Sequence, residues 1–147
     1  MNDMDKITIS QERISEEEYT AFLKRSDLGH QYPKERFEER IFKLVRNAQI
    51  SLVARNEEKE VVGVLFGLTD YAYWLFITDL GVDRRYERQG IGERLFQNAL
   101  TIAGGEKDIA VYLVANERAM GFYGKLGLVR TEDVMKYDHT EYTKFIV

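Results

Sequence analysis

The sequence predicts one α/β domain over residues 1–147, in which a mixed β-sheet carries helices on both faces. Apolar runs separated by polar turns predict strands, and apolar residues spaced three to four apart predict helices between them. Strands that flank single helices imply a mixed sheet that is covered on both sides. The predicted strands are residues 6–10, 50–54, 61–68, 73–82 and 108–115, with further strand-like segments at 128–130 and 133–138.

Four helices are predicted from their caps and their apolar stripes. Ser15 and Glu18 form a capping-box pattern that begins the first helix. Pro33 suits the first turn of the second helix, where its missing N–H costs nothing. The last two helices cover residues 90–103 and 117–126, and glycines follow both of them. The second helix buries an apolar stripe of Phe37, Ile41, Leu44 and Val45.

Composition narrows the function classes. The formal net charge of −4 argues against a dedicated nucleic-acid binder. Because there are no cysteines and only two distant histidines, His30 and His139, the sequence predicts no disulfide and no metal site. Residues 1–9 lack the apolar region of a signal peptide, and no run approaches the roughly 18 apolar residues of a membrane span. We therefore expect a cytoplasmic protein that binds neither nucleic acid nor membrane.

A charged loop between a predicted strand and a predicted helix is the first candidate site. The strand ends at Leu80, Gly81 and Val82, and Gly90 and Gly92 open the helix. Helix N-termini expose unpaired amides and a partial positive charge, so they bind anions readily. Glycines let a pyrophosphate approach the backbone closely. Arginines add cationic charge beside those amides: Arg84, Arg85 and Arg88.

Two segments resemble motifs of the GNAT superfamily of N-acetyltransferases. Residues 82–92, VDRRYERQGIG, resemble motif A, an R/Q-x-x-G-x-G/A loop that binds the pyrophosphate of acetyl-CoA. Residues 111–128 resemble motif B, N-x-x-A-x-x-F-Y-x-x-L-G-F, and the spacing between the motifs accommodates one helix and one strand. Glu87 departs from motif A, which leaves Arg88 as the phosphate contact, and Leu128 replaces the closing aromatic of motif B. Six positions match motif B: Asn116, Ala119, Phe122, Tyr123, Leu126 and Gly127.

The resemblance implies a fold and a co-substrate. The GNAT fold is a mixed, mostly antiparallel sheet of six to seven strands, splayed at the strand that carries Leu80–Val82, with about four helices on its two faces. Acetyl-CoA is the implied co-substrate, and its acetyl group passes directly to an acceptor amine. Asn116 could equally be a simple helix N-cap. The residues implied to bind acetyl-CoA are Leu80, Gly81, Val82, Arg88, Gln89, Gly90, Ile91, Gly92, Glu93 and Asn116.

The resemblance also suggests two catalytic residues. Tyr123 occupies the position of the general acid that protonates the departing thiolate, although its spacing also fits a tyrosine packed on a helix face. Asp79 is the candidate general base, because residues 111–115 contain no carboxylate and a charge inside an apolar strand needs a reason. A salt bridge or a strand-end cap is the structural alternative for Asp79.

Aromatic residues suggest an acceptor pocket, and the acceptor itself is left open. His30 and Tyr32 lie between the first two helices, and Tyr71 and Tyr73 precede the splayed strand. These four are the candidate substrate-binding residues, although such clusters often belong to a core. We expect a small-molecule amine acceptor and a monomer or homodimer. The alternatives are a protein N-terminal or lysine acetyltransferase and a non-catalytic acyl-CoA-binding sensor, while a Rossmann-type nucleotide binder fits the glycine pattern less well.

Overall fold

The computed structural model describes residues 6–147, so the first five residues of the predicted domain lie outside the described residues. Short 3-10 helices at Asp27–His30 and Arg84–Tyr86 add to the regular elements. Those elements are β1 (Thr8–Gln11), α1 (Glu16–Leu23), α2 (Phe37–Asn47), β2 (Ile50–Arg55), β3 (Val61–Thr69), β4 (Trp74–Val82), α3 (Ile91–Ala103), β5 (Ala110–Leu113) and α4 (Glu117–Lys125).

The strands form one five-stranded sheet in the order β1-β2-β3-β4-β5. The first three pairings are antiparallel, and β4 pairs with β5 in parallel. The parallel pairing follows from connectivity, because α3 carries the chain back across the sheet between β4 and β5. The predicted mixed, mostly antiparallel α/β architecture is therefore confirmed, with five strands rather than six to seven.

The two strands predicted after α4 are wrong. Residues 129–147 contain neither helix nor strand, and none of them is buried. A strand over 133–138 would place Val134 beside Lys136 on one face and Asp133 beside Met135 on the other. Because each face mixes apolar and charged side chains, neither face can be buried against the sheet. Pairing with β5 would therefore bring no gain from apolar burial.

Helices cover both faces of the sheet and divide the core in two. On one face, α3 buries Leu95, Phe96 and Ala99 against apolar side chains of β2, β3 and β4. On the other face, α1 and α2 pack against Val53, Val64 and Phe66 of β2 and β3, and this cluster includes Tyr19, Phe22, Leu23, Ile41 and Val45. Within residues 6–147, no helix has the length and apolarity needed to cross a membrane.

The C-terminal segment, residues 129–147, returns to the beginning of α2. Thr143 hydrogen-bonds both carboxylate oxygens of Glu35, at 2.7 and 2.5 Å, and its carbonyl oxygen accepts from the amide of Lys34 at 2.9 Å. The ring of Phe145 lies edge-on to that of Phe37, with the centroids 5.2 Å apart. The segment is therefore attached to the α2 side of the molecule.

Candidate active site

The sheet opens where β4 extends beyond the end of its parallel neighbour, β5. Pairing between β4 and β5 runs from Trp74–Ala110 to Ile77–Leu113, while β4 continues to Val82. Beyond Ile77, β4 therefore has no strand partner on that side among the described residues. Its backbone groups there are free to meet a ligand, as the splay predicted at Leu80–Val82 requires.

A β-bulge in β4 decides which way Asp79 points. Opposite β4, Gly67 pairs with Ile77 and Phe66 pairs with Asp79, so Thr78 is the extra residue. Leu75 and Ile77 face the α3 side of the sheet, and strict alternation would send Asp79 to the same side. The extra residue reverses the alternation, and Asp79 points instead toward α1 and α2, among tyrosines.

Asp79 is a buried carboxylate that accepts hydrogen bonds from neutral hydroxyl groups. Tyr32 donates its hydroxyl hydrogen to Oδ1, and Thr78 Oγ1 donates to Oδ2 over 2.7 Å. Tyr19 lies behind Tyr32, with the two phenol oxygens 2.6 Å apart. Burial raises the pKa of Asp79, and the hydrogen bonds from Tyr32 and Thr78 partly oppose that rise. A carboxylate with a raised pKa and no ion pair to any of residues 6–147 is suited to accept a proton.

Tyr123 of α4 is an electrostatic neighbour of Asp79. Burial and the negative charge of Asp79 together raise the pKa of Tyr123 to about 12. The phenol is therefore protonated throughout the neutral range and can act only as a proton donor there. Its hydroxyl makes no hydrogen bond to any residue in the described range 6–147. The two candidate catalytic residues are therefore close enough for the charge of Asp79 to affect the pKa of Tyr123.

A cavity of about 250 Å³ opens beside Asp79, between β4 and α2. Of the four aromatic candidates for the acceptor site, only Tyr32 lines it. His30 lies instead beside Arg84, with its Nε2 3.4 Å from the guanidinium. Tyr71 and Tyr73 are exposed in the β3–β4 turn, and six residues of strand put Tyr73 about 20 Å from Asp79. The cavity is lined by Tyr32, Pro33, Phe37, Arg40, Ile41, Leu44 and Asp79.

The N-terminus of α3 presents uncapped amides. Gly90, with φ of 84°, is the N-cap residue and offers no side chain for capping. The first backbone hydrogen bond of the helix runs from the amide of Arg94 to the carbonyl of Gly90. The amides of Ile91, Gly92 and Glu93 consequently lack acceptors within the helix and point toward the preceding loop, where an anionic group can bind.

The loop before α3 holds two further unsatisfied groups. Arg88, with φ of 63°, is exposed and forms no ion pair with any residue of the described range. The Oε1 atom of Gln89 is buried and has no hydrogen-bond donor. This turn therefore combines an acceptor without a donor, a guanidinium without an ion pair and three amides without acceptors. Such a set fits a ligand that carries a pyrophosphate and also has hydrogen-bond donors of its own.

The other two arginines of the loop are engaged with carboxylates. Arg84 Nε lies 2.8 Å from Asp27, and one Arg85 nitrogen lies 2.6 Å from Glu60 and 2.8 Å from Asp83. These contacts neutralise the charge that the sequence suggested for phosphate binding. Asp83 is completely buried, and its ion pair with Arg85 connects the end of β4 to the loop.

Gly92 and Asn116 also have structural roles, in helix packing and in helix capping. A Cβ atom on Gly92 would lie 3.0 Å from the ring of Phe122, so this glycine is needed where α4 packs on α3. Asn116 is the N-cap of α4, and its Oδ1 accepts from the amide of Ala119 at 2.9 Å. Its Nδ2 donates to no residue of the described chain. The packing of Gly92 therefore makes its substitution a poor probe of the phosphate site.

Sequence reasoning missed Tyr19 and Thr78 as members of the site. Tyr19 reads as an ordinary core residue of α1, and nothing local in the sequence links it to Asp79, sixty residues later. Thr78 could have been noticed as a polar residue adjacent to Asp79 in an apolar strand. The pairing shift that makes it a bulge depends on β3 and has no signal within β4 itself.

Solved structures share this fold at low sequence identity. The chain is similar to SA2161 from meticillin-resistant Staphylococcus aureus, with a TM-score of 0.74, 20% identity and coverage of 92% of this chain and 99% of that chain. It is similar to Ard1 from Thermoplasma volcanium, with a TM-score of 0.67, 24% identity and coverage of 86% and 85%. It is also similar to the aminoglycoside acetyltransferase meta-AAC0020 from an uncultured soil metagenomic sample, in complex with sisomicin, with a TM-score of 0.60, 22% identity and coverage of 95% and 99%.

No curated protein matches the sequence. A family model described as the acetyltransferase (GNAT) family matches residues 12–128, a span that contains the splayed strand, the loop before α3, and α4. The match includes both segments that resemble GNAT motifs and nearly all of the regular structure. The chain therefore belongs to the GNAT family of acetyltransferases.

Proposed function

We propose that this protein transfers the acetyl group of acetyl-CoA to a primary amine of a small molecule, by direct attack within a ternary complex. Acetyl-CoA is the co-substrate of GNAT proteins, and it supplies the activated thioester. One observation carries the proposal for this chain: a buried carboxylate with a raised pKa, Asp79, forms the wall of a cavity at the point where β4 and β5 part.

The loop and the N-terminus of α3 hold the co-substrate in this proposal. The free amides of Ile91, Gly92 and Glu93 and the guanidinium of Arg88 bind the pyrophosphate. Gln89 Oε1 accepts a hydrogen bond from the ligand. The backbone groups of Leu80, Gly81 and Val82 that face away from β3, together with the Nδ2 group of Asn116, bind the pantetheine arm.

Asp79 and Tyr123 carry out the proton transfers that begin and complete the reaction. The acceptor arrives as an ammonium ion, and Asp79 takes a proton from it so that the nitrogen lone pair can attack the thioester carbon. The C–N bond forms as the C–S bond breaks, and Tyr123 donates its phenolic proton to the departing sulfur. The nitrogen then still carries one proton more than the amide product, and it passes this second proton through water to the Tyr123 phenolate, which restores the acid. Backbone amides of β4 beyond Ile77 can stabilise the negative charge that develops on the thioester oxygen.

The small-molecule acceptor is favoured by the shape of the acceptor side. The cavity is below the roughly 300–1,000 Å³ of sites that enclose drug-sized ligands. The C-terminal segment lies against the residues just before α2 and against Phe37, which lines the cavity. A protein acceptor needs an open groove for several residues, whereas these contacts narrow the approach. The likeness to Ard1 concerns the fold and leaves the acceptor open.

A panel of free amines and of peptides with free N-termini or lysines tests the proposal. Each is incubated with acetyl-CoA, and a thiol reagent measures the released CoA. Release with small amines and none with peptides is the expected result. Release with peptides alone would favour a protein acetyltransferase, while CoA binding without release for any acceptor would favour an acyl-CoA sensor.

A further inference from the structure

One face of α2 lines the cavity beside Asp79. Phe37, Arg40, Ile41 and Leu44 are spaced i, i+3, i+4 and i+7, so they form a single stripe along the helix. Three members of this stripe are apolar. The fourth, Arg40, is half-buried and interrupts the apolar surface with a permanent positive charge.

Arg40 has no anionic partner in the described part of the chain, and its side chain forms no hydrogen bond there. Other cations of α2 are engaged: Lys43 pairs with Glu39 at 3.1 Å, and the guanidinium of Arg46 stacks over Phe42 at 4.8 Å. Asp79 lines the same cavity, but its oxygens accept hydrogen bonds from Tyr32 and Thr78 and form no ion pair with Arg40. A half-buried guanidinium that no carboxylate pairs with is costly. Such an arrangement is expected where a ligand supplies the missing anion.

We propose that the acceptor carries a carboxylate, which Arg40 binds, in addition to the amine that faces Asp79. This inference rests on the proposed function. The planar fork of arginine matches a carboxylate through two parallel hydrogen bonds. Phe37, Ile41 and Leu44 provide the surface for an apolar body. The acceptor class is therefore an amino acid with an apolar side chain, of a size that a cavity of about 250 Å³ encloses.

The test uses acceptors that differ only in the anionic group. Leucine, leucinamide and 3-methylbutylamine share the isobutyl body and the primary amine. For each, kcat/KM is expressed per concentration of the ammonium form, which Asp79 deprotonates, because the three amines titrate differently. The wild-type protein is expected to favour leucine over 3-methylbutylamine by about 10- to 100-fold, the range for a charge-assisted hydrogen bond in a partly buried site.

Two substitutions of Arg40 and one matched control complete the test. Arg40→Gln should lower kcat/KM for leucine by about 10- to 100-fold and leave 3-methylbutylamine unchanged. Arg40→Glu should reverse the preference, so that leucinamide and 3-methylbutylamine, which lack a carboxylate, are favoured over leucine. Lys43→Gln, on the outer face of the same helix, should alter neither acceptor. Unfolding temperatures without ligand verify that the variants are folded.

Binding is measured separately from turnover. Leucine should raise the unfolding temperature of the wild-type protein in the presence of CoA, and Arg40→Gln should abolish this rise. Binding that depends on Arg40 without acetyl transfer would support the acceptor site and refute the proposed function. Acetylation of 3-methylbutylamine as efficient as that of leucine, with no effect of Arg40→Gln, would refute the carboxylate and leave the proposed function intact.

Discussion

The hydroxyl oxygens of Tyr19 and Tyr32 lie 2.6 Å apart, with Tyr19 completely buried. Tyr32 has a single hydroxyl hydrogen and donates it to Asp79. The hydrogen between the two phenols therefore belongs to Tyr19, and the bonds run from Tyr19 to Tyr32 to Asp79. Each hydrogen bond in such a chain polarises the next and strengthens it. Tyr19 thus acts on the carboxylate without touching it.

Tyr19→Phe tests this relationship. Loss of the Tyr19 hydroxyl weakens the donor strength of Tyr32, so the ionised form of Asp79 loses support and its pKa rises further. The ascending limb of the kcat/KM–pH profile should move to higher pH, and the free energy of unfolding should fall by about 1 kcal/mol. Tyr137→Phe, at an exposed position, should leave both unchanged. A loss of stability with an unmoved profile would make Tyr19 a packing residue only.

Asp79→Asn should remove the ascending limb. Asp79 acts as a base only when ionised, so wild-type activity rises as the pH passes its raised pKa. Between that pKa and the pKa of the acceptor amine, the activity of the variant should be about 100-fold or more below that of the wild type. At pH values above the pKa of the amine, the acceptor is already deprotonated and needs no base. An unchanged profile would leave Asp79 with a structural role.

Stability provides the control for Asp79→Asn. A carboxyl group whose folded-state pKa is raised stabilises the fold below its unfolded-state pKa, and this contribution is lost as the pH rises through the raised value. At neutral pH the asparagine variant should therefore unfold at a temperature no lower than the wild type. A large drop in unfolding temperature at neutral pH would mean that misfolding explains the loss of activity.

Tyr123→Phe removes one hydroxyl group and little volume. Because the pKa of Tyr123 is raised to about 12, the phenol is protonated at neutral pH and can serve as the acid. We expect kcat to fall by about 100-fold with little change in KM. The loss should shrink with acyl donors whose thiols are more acidic, since those leave without help. Equal losses with good and poor leaving groups would assign Tyr123 to packing or binding.

Arg88→Gln tests the phosphate site without disturbing the fold. CoA should raise the unfolding temperature of the wild-type protein, because it binds the native state. Arg88 is exposed and makes no ion pair in the described chain, so its replacement should weaken CoA binding by about 10-fold while the ligand-free protein keeps its stability. Arg46→Gln, on the outer surface of α2, is the matched control. Unaltered CoA binding by Arg88→Gln would contradict the placement of the pyrophosphate.

Asp83→Asn should destabilise the protein. Burial works to raise the pKa of Asp83, but hydrogen bonds from Arg85 and Arg25 outweigh it and lower that pKa. A lowered pKa stabilises the fold above the unfolded-state pKa, and this is lost as the pH falls through the folded-state value. Urea unfolding at neutral pH should show a loss of about 1–3 kcal/mol, which shrinks on acidification. Asp108→Asn, exposed, should show neither effect.

Local patterns in the sequence determined most of the regular structure. The helix at Ile91–Ala103 follows from Gly90, the apolar stripe and the glycines after it, all of which act within a few residues. The capping box of α1 is half formed: Ser15 accepts from the amide of Glu18, but the Glu18 carboxylate binds Arg55 instead. Local signals succeed where the partners are neighbours in sequence and fail where a distant side chain competes.

The loop before α3 and the candidates Asp79 and Tyr123 could also be selected from the sequence, through its resemblance to the GNAT motifs. Their arrangement could not. The bulge at Thr78 turns Asp79 toward Tyr32, and it depends on how β4 pairs with β3. Arg84 is neutralised by Asp27, which lies 57 residues earlier in the chain. Only the tertiary structure decides such relationships, because hydrogen bonds and ion pairs depend on distances that chain folding sets between residues dozens of positions apart.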